Sequence, residues 1–258
     1  MDELIEHPPT RWWDQHCHLP DDDVDGYVQR AADAGVLRLI DVGCDVAGST
    51  QAIDRARRFD AVSATAGVHP HDAAGGIDGL EALLADPEVV AVGECGLDYH
   101  YEHSPRDAQR EVFALQIALS LSHRLPLVIH TRAAWDDTFD VLGEVGVPPR
   151  TVFHCFTGGP AEAARCLEIG ASLSFSGIVT FPSAADDVAK VAATCPIDRL
   201  LVETDSPYLS PVPLRGRPNH PSNVAVVGAF VAALRGEAVE HVAEHTWRNA
   251  EAFYRRVA

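Results

Sequence analysis

The chain has 258 residues, of which 47% are hydrophobic, and a formal net charge of −18 from 38 acidic and 20 basic side chains. A chain of this length buries roughly three-quarters of its unfolded surface, so its core needs neither disulfides nor a structural metal. The acidity excludes a protein that coats nucleic acid through a broad basic surface. The apolar content excludes intrinsic disorder, and the lack of any run of about 18 apolar residues predicts no membrane span.

Eight short apolar runs alternate with amphipathic stretches along the chain. The predicted strands are 11–18, 36–43, 61–68, 89–94, 126–130, 150–154, 171–175 and 199–204. The predicted helices are 24–34, 47–59, 77–85, 106–123, 134–145, 159–169 and 184–194, followed by a helical region over about 222–256. Eight strand–helix units with short connections predict a parallel sheet. Their number favours an α/β fold with one (β/α)8 TIM-type barrel domain over 1–258 and a C-terminal helical region. A doubly wound open sheet is the alternative, which periodicity does not exclude.

The cysteines and the amino terminus bear on the compartment. The six cysteines form no CxxC pair, so we expect reduced, mostly buried thiols of a cytoplasmic protein. The acidic stretch 1–14 lacks the apolar region of a secretory signal. Thirteen histidines are an unusual number that core packing does not explain.

Six side chains with metal-binding atoms lie at, or just after, the ends of five predicted strands. They are His16, His18, Glu94, His130, His154 and Asp205. Taken singly, each has an ordinary explanation as a polar strand end or a turn residue. In a barrel, however, the carboxyl ends of the strands converge on one pocket. Their joint placement therefore predicts a metal site.

Four imidazoles and two carboxylates suit Zn, Mn, Fe or Mg. Six ligands exceed the three or four that one catalytic zinc takes, so we expect two divalent ions that share Glu94 as a bridge. Such a pair stabilises the attacking and leaving oxygens of a phosphoester. Asp205 would take the proton of the attacking water as general base. The cysteines beside three ligands (Cys17, Cys95 and Cys155) should point away, because neighbouring strand residues face opposite sides.

Further polar residues gather around the predicted pocket. His69 and His71 flank Pro70 after the third strand. Arg132 lies two residues beyond His130, where its planar guanidinium would bind a phosphate. Asn219 and His220, late in the Pro-rich loop 206–223, are expected to reach over the pocket. Five more polar residues follow Glu94, namely Asp98, Tyr99, His100, His103 and Arg106.

Together these motifs resemble the TatD-type metal-dependent deoxyribonucleases of the amidohydrolase superfamily. The matching stretches are DQHCHL (14–19), GVHPH (67–71), GECGLDY (93–99), PLVIHTR (126–132), FHCFTGG (153–159), ETDSPYL (203–209) and RGRPNHPSNV (215–224). The resemblance implies a TIM-type barrel with a two-metal site that hydrolyses phosphodiesters, typically by trimming DNA ends. It implies the same six metal ligands and places His69 and Arg132 on the substrate side.

The chain departs from the family pattern at three places. Pro20 replaces an aspartate that commonly follows HCHL, and Gln15 replaces a threonine before it. Asn219-His220-Pro221 stands where the family usually has Asn-Glu-Pro. These changes leave the predicted metal set intact and bear on the substrate contacts.

Three functions stay open at the level of sequence. The first is a metal-dependent phosphodiesterase that trims nucleic-acid ends, with DNA expected as the substrate rather than RNA. The second is the same barrel acting on a small amide, lactone or phosphoester, which the acidic charge favours. The third is a non-catalytic metal-binding barrel. None of them requires a membrane or an obligate protein partner. Because Lys190 is the sole lysine, we hypothesise separately that the acidic, arginine-rich composition reflects adaptation to high salt or GC-rich codons.

Overall fold

The structure, a computed structural model, describes residues 10–184 and 186–256. The expectation of no secretory signal rests on residues 1–14, and most of these lie outside the described residues. Ala185 of the predicted helix 184–194 lies outside them as well. The strands are β1 (Trp12–Cys17), β2 (Val36–Asp41), β3 (Val62–Ala66), β4 (Val89–Asp98), β5 (Leu127–Arg132), β6 (Thr151–Phe153), β7 (Ser172–Phe175) and β8 (Leu200–Val202).

Helices follow the strands around the outside. They are α1 (Val24–Asp33), α2 (Val46–Ala56), α3 (Leu80–Leu83), α4 (Arg106–His123), α5 (Trp135–Val145), α6 (Pro160–Glu168), α7 (Val188–Thr194), α8 (Val224–Arg235) and α9 (Val239–Tyr254). Short 3₁₀ turns cover 70–75, 177–180, 182–184, 197–199 and 221–223.

All neighbouring strands pair in parallel, in the order β1 to β8. The first and last strands then meet just beyond their carboxyl ends, where Cys17 and Ser206 form a parallel bridge. The Asp205 N–H donates to the His16 carbonyl at 2.8 Å, and the His18 N–H donates to the Ser206 carbonyl at 2.8 Å. The sheet therefore closes into the predicted (β/α)8 barrel, and the open-sheet alternative is wrong.

Two apolar layers stabilise the barrel. The larger one lies between the strands and the surrounding helices. The smaller one joins residues from five strands with the carboxyl-terminal turn of α9; it comprises Ile40, Val42, Ala91, Val128, Val152, Leu201, Ala250, Phe253 and Tyr254. Bulky branched side chains fill the interior of such barrels as a packed core, so polar chemistry is confined to the strand ends.

Four predicted elements differ clearly from the structure. The helix predicted over 184–194 begins only at Val188. The helix predicted over 77–85 is only the four-residue α3, because Gly79 before it has a left-handed backbone (φ 91°). The strand predicted to end at Glu94 runs on to Asp98. The helical region 222–256 is two helices, since Gly236 (φ 65°) ends α8.

Within the described ranges, no single helix has the length and apolarity of a membrane span. The segments Pro221–Arg235 and Val239–Tyr254 meet those criteria only as a pair, and the pair is bent by 115°.

Candidate metal centre

A cavity of about 710 Å³ opens at the carboxyl ends of the strands. Five of the six predicted metal ligands line it, namely His18, Glu94, His130, His154 and Asp205. The sixth, His16, is completely buried next to them, and its ring stacks on that of His154 with centroids 3.9 Å apart. The structure thus brings all six predicted ligands together.

Glu94 lies at the centre of this group. Its Oε1 is 2.7 Å from His154 Nε2 and 3.0 Å from His130 Nδ1. Its Oε2 is 3.3 Å from His16 Nε2. Burial by itself would raise the pKa of Glu94, but the charges of the surrounding histidines outweigh it and hold that pKa well below its ordinary value. The carboxylate is therefore ionised and faces several nitrogens at once.

Asp205 shares His16 Nε2 with Glu94 and also faces His18. Its Oδ1 is 3.6 Å from His18 Nε2 and 3.8 Å from His16 Nε2. The backbone at Asp205 is left-handed (φ 56°), a conformation that aspartate adopts more readily than most residues. Burial opposes ionisation of this carboxyl, yet the hydrogen bond with His18 and the nearby imidazoles lower its pKa.

The donor set fits divalent metal ions. Both ring nitrogens of His16 and Nε2 of His154 are buried without a hydrogen-bond partner. Since His154 Nε2 is only 2.7 Å from Glu94 Oε1, these atoms are close without the alignment of a hydrogen bond. Buried polar atoms seldom stay unpaired. Three overlapping groups have their donor atoms within 4.8 Å of one another: His16–His154–Asp205, His16–His18–Glu94 and His69–Glu94–His130.

Three polar partners orient the imidazoles. Glu203 Oε1 is 3.2 Å from His154 Nδ1, and Asp98 Oδ2 is 3.2 Å from His130 Nε2. His18 Nδ1 is 3.2 Å from the Val42 carbonyl. A partner of this kind fixes the tautomer, so that the other ring nitrogen keeps its lone pair for a metal.

Glu203 was missing from the sequence predictions, and Asp98 had no role in them. The signal for both in the sequence is their closeness to a predicted ligand, since neither pair lies within one predicted strand. Glu203 is two residues before Asp205, and Asp98 is four residues after Glu94.

His69 lies deeper than the substrate position predicted for it. Only 8% of the residue is exposed, and its Nε2 is 3.5 Å from Glu94 Oε1. Burial lowers the pKa of His69 to about 3, so the ring is neutral. Its Nδ1 accepts the His71 N–H at 3.1 Å, which places the ring proton on Nε2, facing Glu94. His69 can therefore donate a hydrogen bond to a carboxylate or to a ligand in the cavity.

Arg132 and Asn219 have different surroundings. Arg132 is exposed and lines the cavity, as predicted for a substrate contact. Asn219 is fully buried and is not among the lining residues. Its Nδ2 donates to the Thr204 carbonyl at 2.9 Å, and its Oδ1 accepts the His220 N–H at 2.9 Å. The expectation that Asn219 reaches over the pocket is not met, because the backbone beside Asp205 already satisfies its amide.

His220 likewise lies away from the cavity lining. Its Nε2 accepts a hydrogen bond from Arg30 Nε at 3.1 Å, and its ring packs on that of Tyr27. Burial and the Arg30 charge lower the pKa of His220 to about 4. It therefore fastens the loop to α1 as a neutral side chain.

The cysteines follow the strand alternation at two of the three predicted positions. Cys17 and Cys95 are buried and donate to backbone carbonyls. Cys155 lines the cavity instead, because it follows the end of β6 with a left-handed backbone (φ 42°). Cys44, which the sequence did not single out, lines it as well. Burial raises the pKa of both thiols, so both are protonated at neutral pH.

Fold and site together define a (β/α)8 barrel with the donor set of a metal-dependent hydrolase. The sequence profile of the TatD-related DNase family matches residues 13–255, and the chain belongs to this family. It is 39% identical to the metal-dependent hydrolase YabD of Bacillus subtilis over 94% of this chain and 98% of that protein. It is 34% identical to the 3′-5′ ssDNA/RNA exonuclease TatD of Klebsiella pneumoniae over 90% of this chain and 92% of that one.

Solved structures show the same architecture. The crystal structure of YJJV, a TatD homologue from Escherichia coli, superposes with a TM-score of 0.88 at 28% identity, over 95% of this chain and 98% of that chain. An organophosphorus hydrolase from Deinococcus radiodurans shares the barrel with a TM-score of 0.61 at 13% identity, over 95% of this chain and 93% of that chain. The TatD resemblance drawn from the sequence is confirmed.

Proposed function

We propose that the protein is a metal-dependent phosphodiesterase that removes nucleotides from the ends of nucleic acids, DNA in particular. The observation that carries this proposal is the convergence of four imidazoles on Glu94 and Asp205 in one cavity, with unpaired nitrogens on His16 and His154. The relative named as a 3′-5′ exonuclease on ssDNA and RNA supports nucleic acid as the substrate. We further propose that residues 1–258 form a single domain, that the protein is cytoplasmic, and that it needs no obligate protein partner.

The six predicted side chains would hold two divalent ions, and Glu94 would contribute to both. When bound, the ions supply positive charge to the attacking and leaving oxygens of the phosphodiester. The mixed nitrogen and oxygen donors suit Zn, Mn, Mg and Fe.

The chain's own residues supply the remaining chemistry. Asp205 is ionised at neutral pH because its pKa is lowered, so its carboxylate can take the proton of the attacking water. Arg132, exposed at the cavity, presents a planar guanidinium to a non-bridging phosphate oxygen. His69 carries a proton on Nε2 in the same cavity and can donate it in a hydrogen bond.

Activity and metal content test the proposal together. Purified protein is analysed for bound metals and then incubated with end-labelled single-stranded DNA, RNA and a panel of small esters, amides and lactones. We expect about two divalent ions per chain and stepwise shortening of DNA that chelation abolishes and added metal restores. Asp205→Asn should lose most of the activity, whereas Asp140→Asn, on the exposed face of α5, should keep it.

The other outcomes point to the other functions. Turnover of small esters alone would establish the small-molecule hydrolase and contradict the nuclease. Metal binding without turnover of any substrate would indicate a non-catalytic barrel.

A further inference from the structure

Two exposed tyrosines border the cavity. Among the described residues, the three most exposed Phe, Tyr or Trp residues are Tyr208 at 63%, Tyr101 at 52% and Phe230 at 37%. Tyr101 and Tyr208 line the cavity that holds the metal donors. Large aromatic side chains left in water beside a polar centre are typical of a binding surface.

The two tyrosines stand on opposite sides of the barrel mouth. Tyr101 follows β4 and Tyr208 follows β8. In a closed barrel with the order β1 to β8, these two strands are half a circumference apart. The proposed ligands, and hence the position of a reacting phosphate, lie between them.

Tyr208 lies three residues after Asp205, and two contacts hold it next to the metal donors. Its backbone N–H donates to the Asp205 carbonyl at 2.9 Å. Its ring meets the ring of His18 edge to face, with centroids 6.2 Å apart and an interplanar angle of 68°. Within the described part of the chain, no cation packs on this ring. Tyr208 therefore offers an aromatic face to a ligand in the cavity.

On the other side, Tyr101 and Arg132 form a layered pair. The Arg132 guanidinium carbon lies 4.7 Å from the centroid of the Tyr101 ring. The ring of His103 is almost parallel to that of Tyr101, at 3° and 5.7 Å between centroids. An arginine that packs on an aromatic ring presents its own flat face outward, and nucleobases stack on both kinds of surface.

We propose that the two nucleosides flanking the scissile phosphate stack on these two surfaces, one base on Tyr208 and the other on the Tyr101–Arg132 pair. This inference rests on the proposed nuclease function. A phosphodiester carries one nucleoside on either side, which matches one flat surface on either side of the donors. Stacking accepts every base, because all four have a π face. It also binds a strand without a broad positive surface, which this chain with its net charge of −18 lacks.

Dinucleotides with one base removed test the inference. Three substrates are compared: an intact deoxydinucleotide, and two versions in which the base of the 5′ or of the 3′ nucleoside is replaced by hydrogen. For the wild-type protein, we expect each missing base to lower kcat/KM about tenfold or more. Tyr208→Ala should no longer show the fall in kcat/KM for one of the two missing bases. Tyr101→Ala should no longer show it for the other base.

Conservative and remote variants separate stacking from damage to the fold. Tyr208→Phe and Tyr101→Phe keep the ring, so they should retain the wild-type penalties. Phe230→Ala removes an exposed aromatic ring from α8, away from the cavity lining, and should leave every rate unchanged.

The failures of the two proposals are distinguishable. If the wild-type protein cleaves the intact dinucleotide but each alanine variant still shows both penalties, the stacking inference is overturned and the nuclease stands. If the wild-type protein shows no penalty for either missing base, the stacking inference is overturned in the same way. If the wild-type protein with metal cleaves no nucleic acid at all, both proposals are overturned.

Discussion

Replacing Glu203 tests how much of the metal centre depends on a residue that we do not propose as a ligand. Its side chain is fully buried and accepts hydrogen bonds from the Cys155 N–H at 2.7 Å and from the Ser174 hydroxyl at 2.5 Å. It also faces His154 Nδ1 at 3.2 Å. Burial lowers the pKa of His154, but the charges of Glu94 and Glu203 outweigh it and raise that pKa well above its ordinary value.

The size of the effect follows from these contacts. Glu203→Ala would leave three donors without an acceptor, two on buried residues and one on the half-buried Cys155, at about 1–3 kcal/mol each. The sum of roughly 3–9 kcal/mol is comparable to the whole stability of a domain, about 5–15 kcal/mol, so we expect this variant to fold poorly. Glu203→Gln keeps the volume and one acceptor oxygen and removes the charge. We therefore expect it to fold and to bind metal about 10–100-fold more weakly, as other losses of a ligand's hydrogen-bond partner do.

Calorimetric titration of metal-free protein with Zn²⁺ or Mn²⁺ measures this loss, and thermal unfolding without metal checks the fold. Glu240→Gln, on the exposed surface of α9, is the matched control and should bind metal like the wild-type protein. A Glu203→Gln protein that melts normally and binds metal with wild-type affinity would refute the positioning role of Glu203.

Three further predictions concern the neighbourhood of the site. Asp98→Asn should weaken metal binding about tenfold or more by calorimetry, because it removes the charge beside His130 Nε2. Wild-type affinity in this variant would contradict the prediction. Gly96→Ala should destabilise the fold by about 3 kcal/mol or more in denaturant titrations, because the backbone of Gly96 has φ 139° and an added Cβ would overlap the His130 carbonyl. Gly143→Ala has open space around the added Cβ and should destabilise the fold far less. Burial and the hydrogen bond to Asp137 raise the pKa of Tyr99 from 10.0 to about 12, so the free energy of unfolding should fall as the pH rises through that interval. Tyr99→Phe should lack this part of the decrease. Parallel plots of unfolding free energy against pH for the two proteins would show the reasoning to be wrong.

The barrel and the convergence of the six donors were predictable from the sequence. Strand-like runs alternate with helices eight times, and the strand ends of a barrel share one pocket. The polar residue at the end of a short apolar run is a local signal, and His130 and His154 carry it plainly.

What the sequence did not reveal depends on tertiary contact. The strand predicted over 89–94 continues to Asp98, because the absence of a side chain at Gly96 lets the backbone lie against His130. The Cys155 side chain faces the cavity because its backbone is left-handed after β6, and no residue pattern in the sequence predicts that conformation. The burial of Asn219 depends on the Thr204 carbonyl, 15 residues earlier in the chain, being free to accept its amide.

The junction between the first and last strands has a consequence for biosynthesis. Asp14 accepts a hydrogen bond from the Thr204 N–H at 2.8 Å across 190 residues, next to the bonds that join His16 to Asp205. The donor set therefore spans the whole barrel sequence, with His16 and His18 at its first strand and Asp205 after its last. A ribosome-bound chain that has emerged only through β7 holds His16 and His18 but neither Glu203 nor Asp205. On the proposed assignment, hydrolytic chemistry is available only after the last strand has been made and has closed the ring, so incomplete translation products would be inert towards the cell's own nucleic acids.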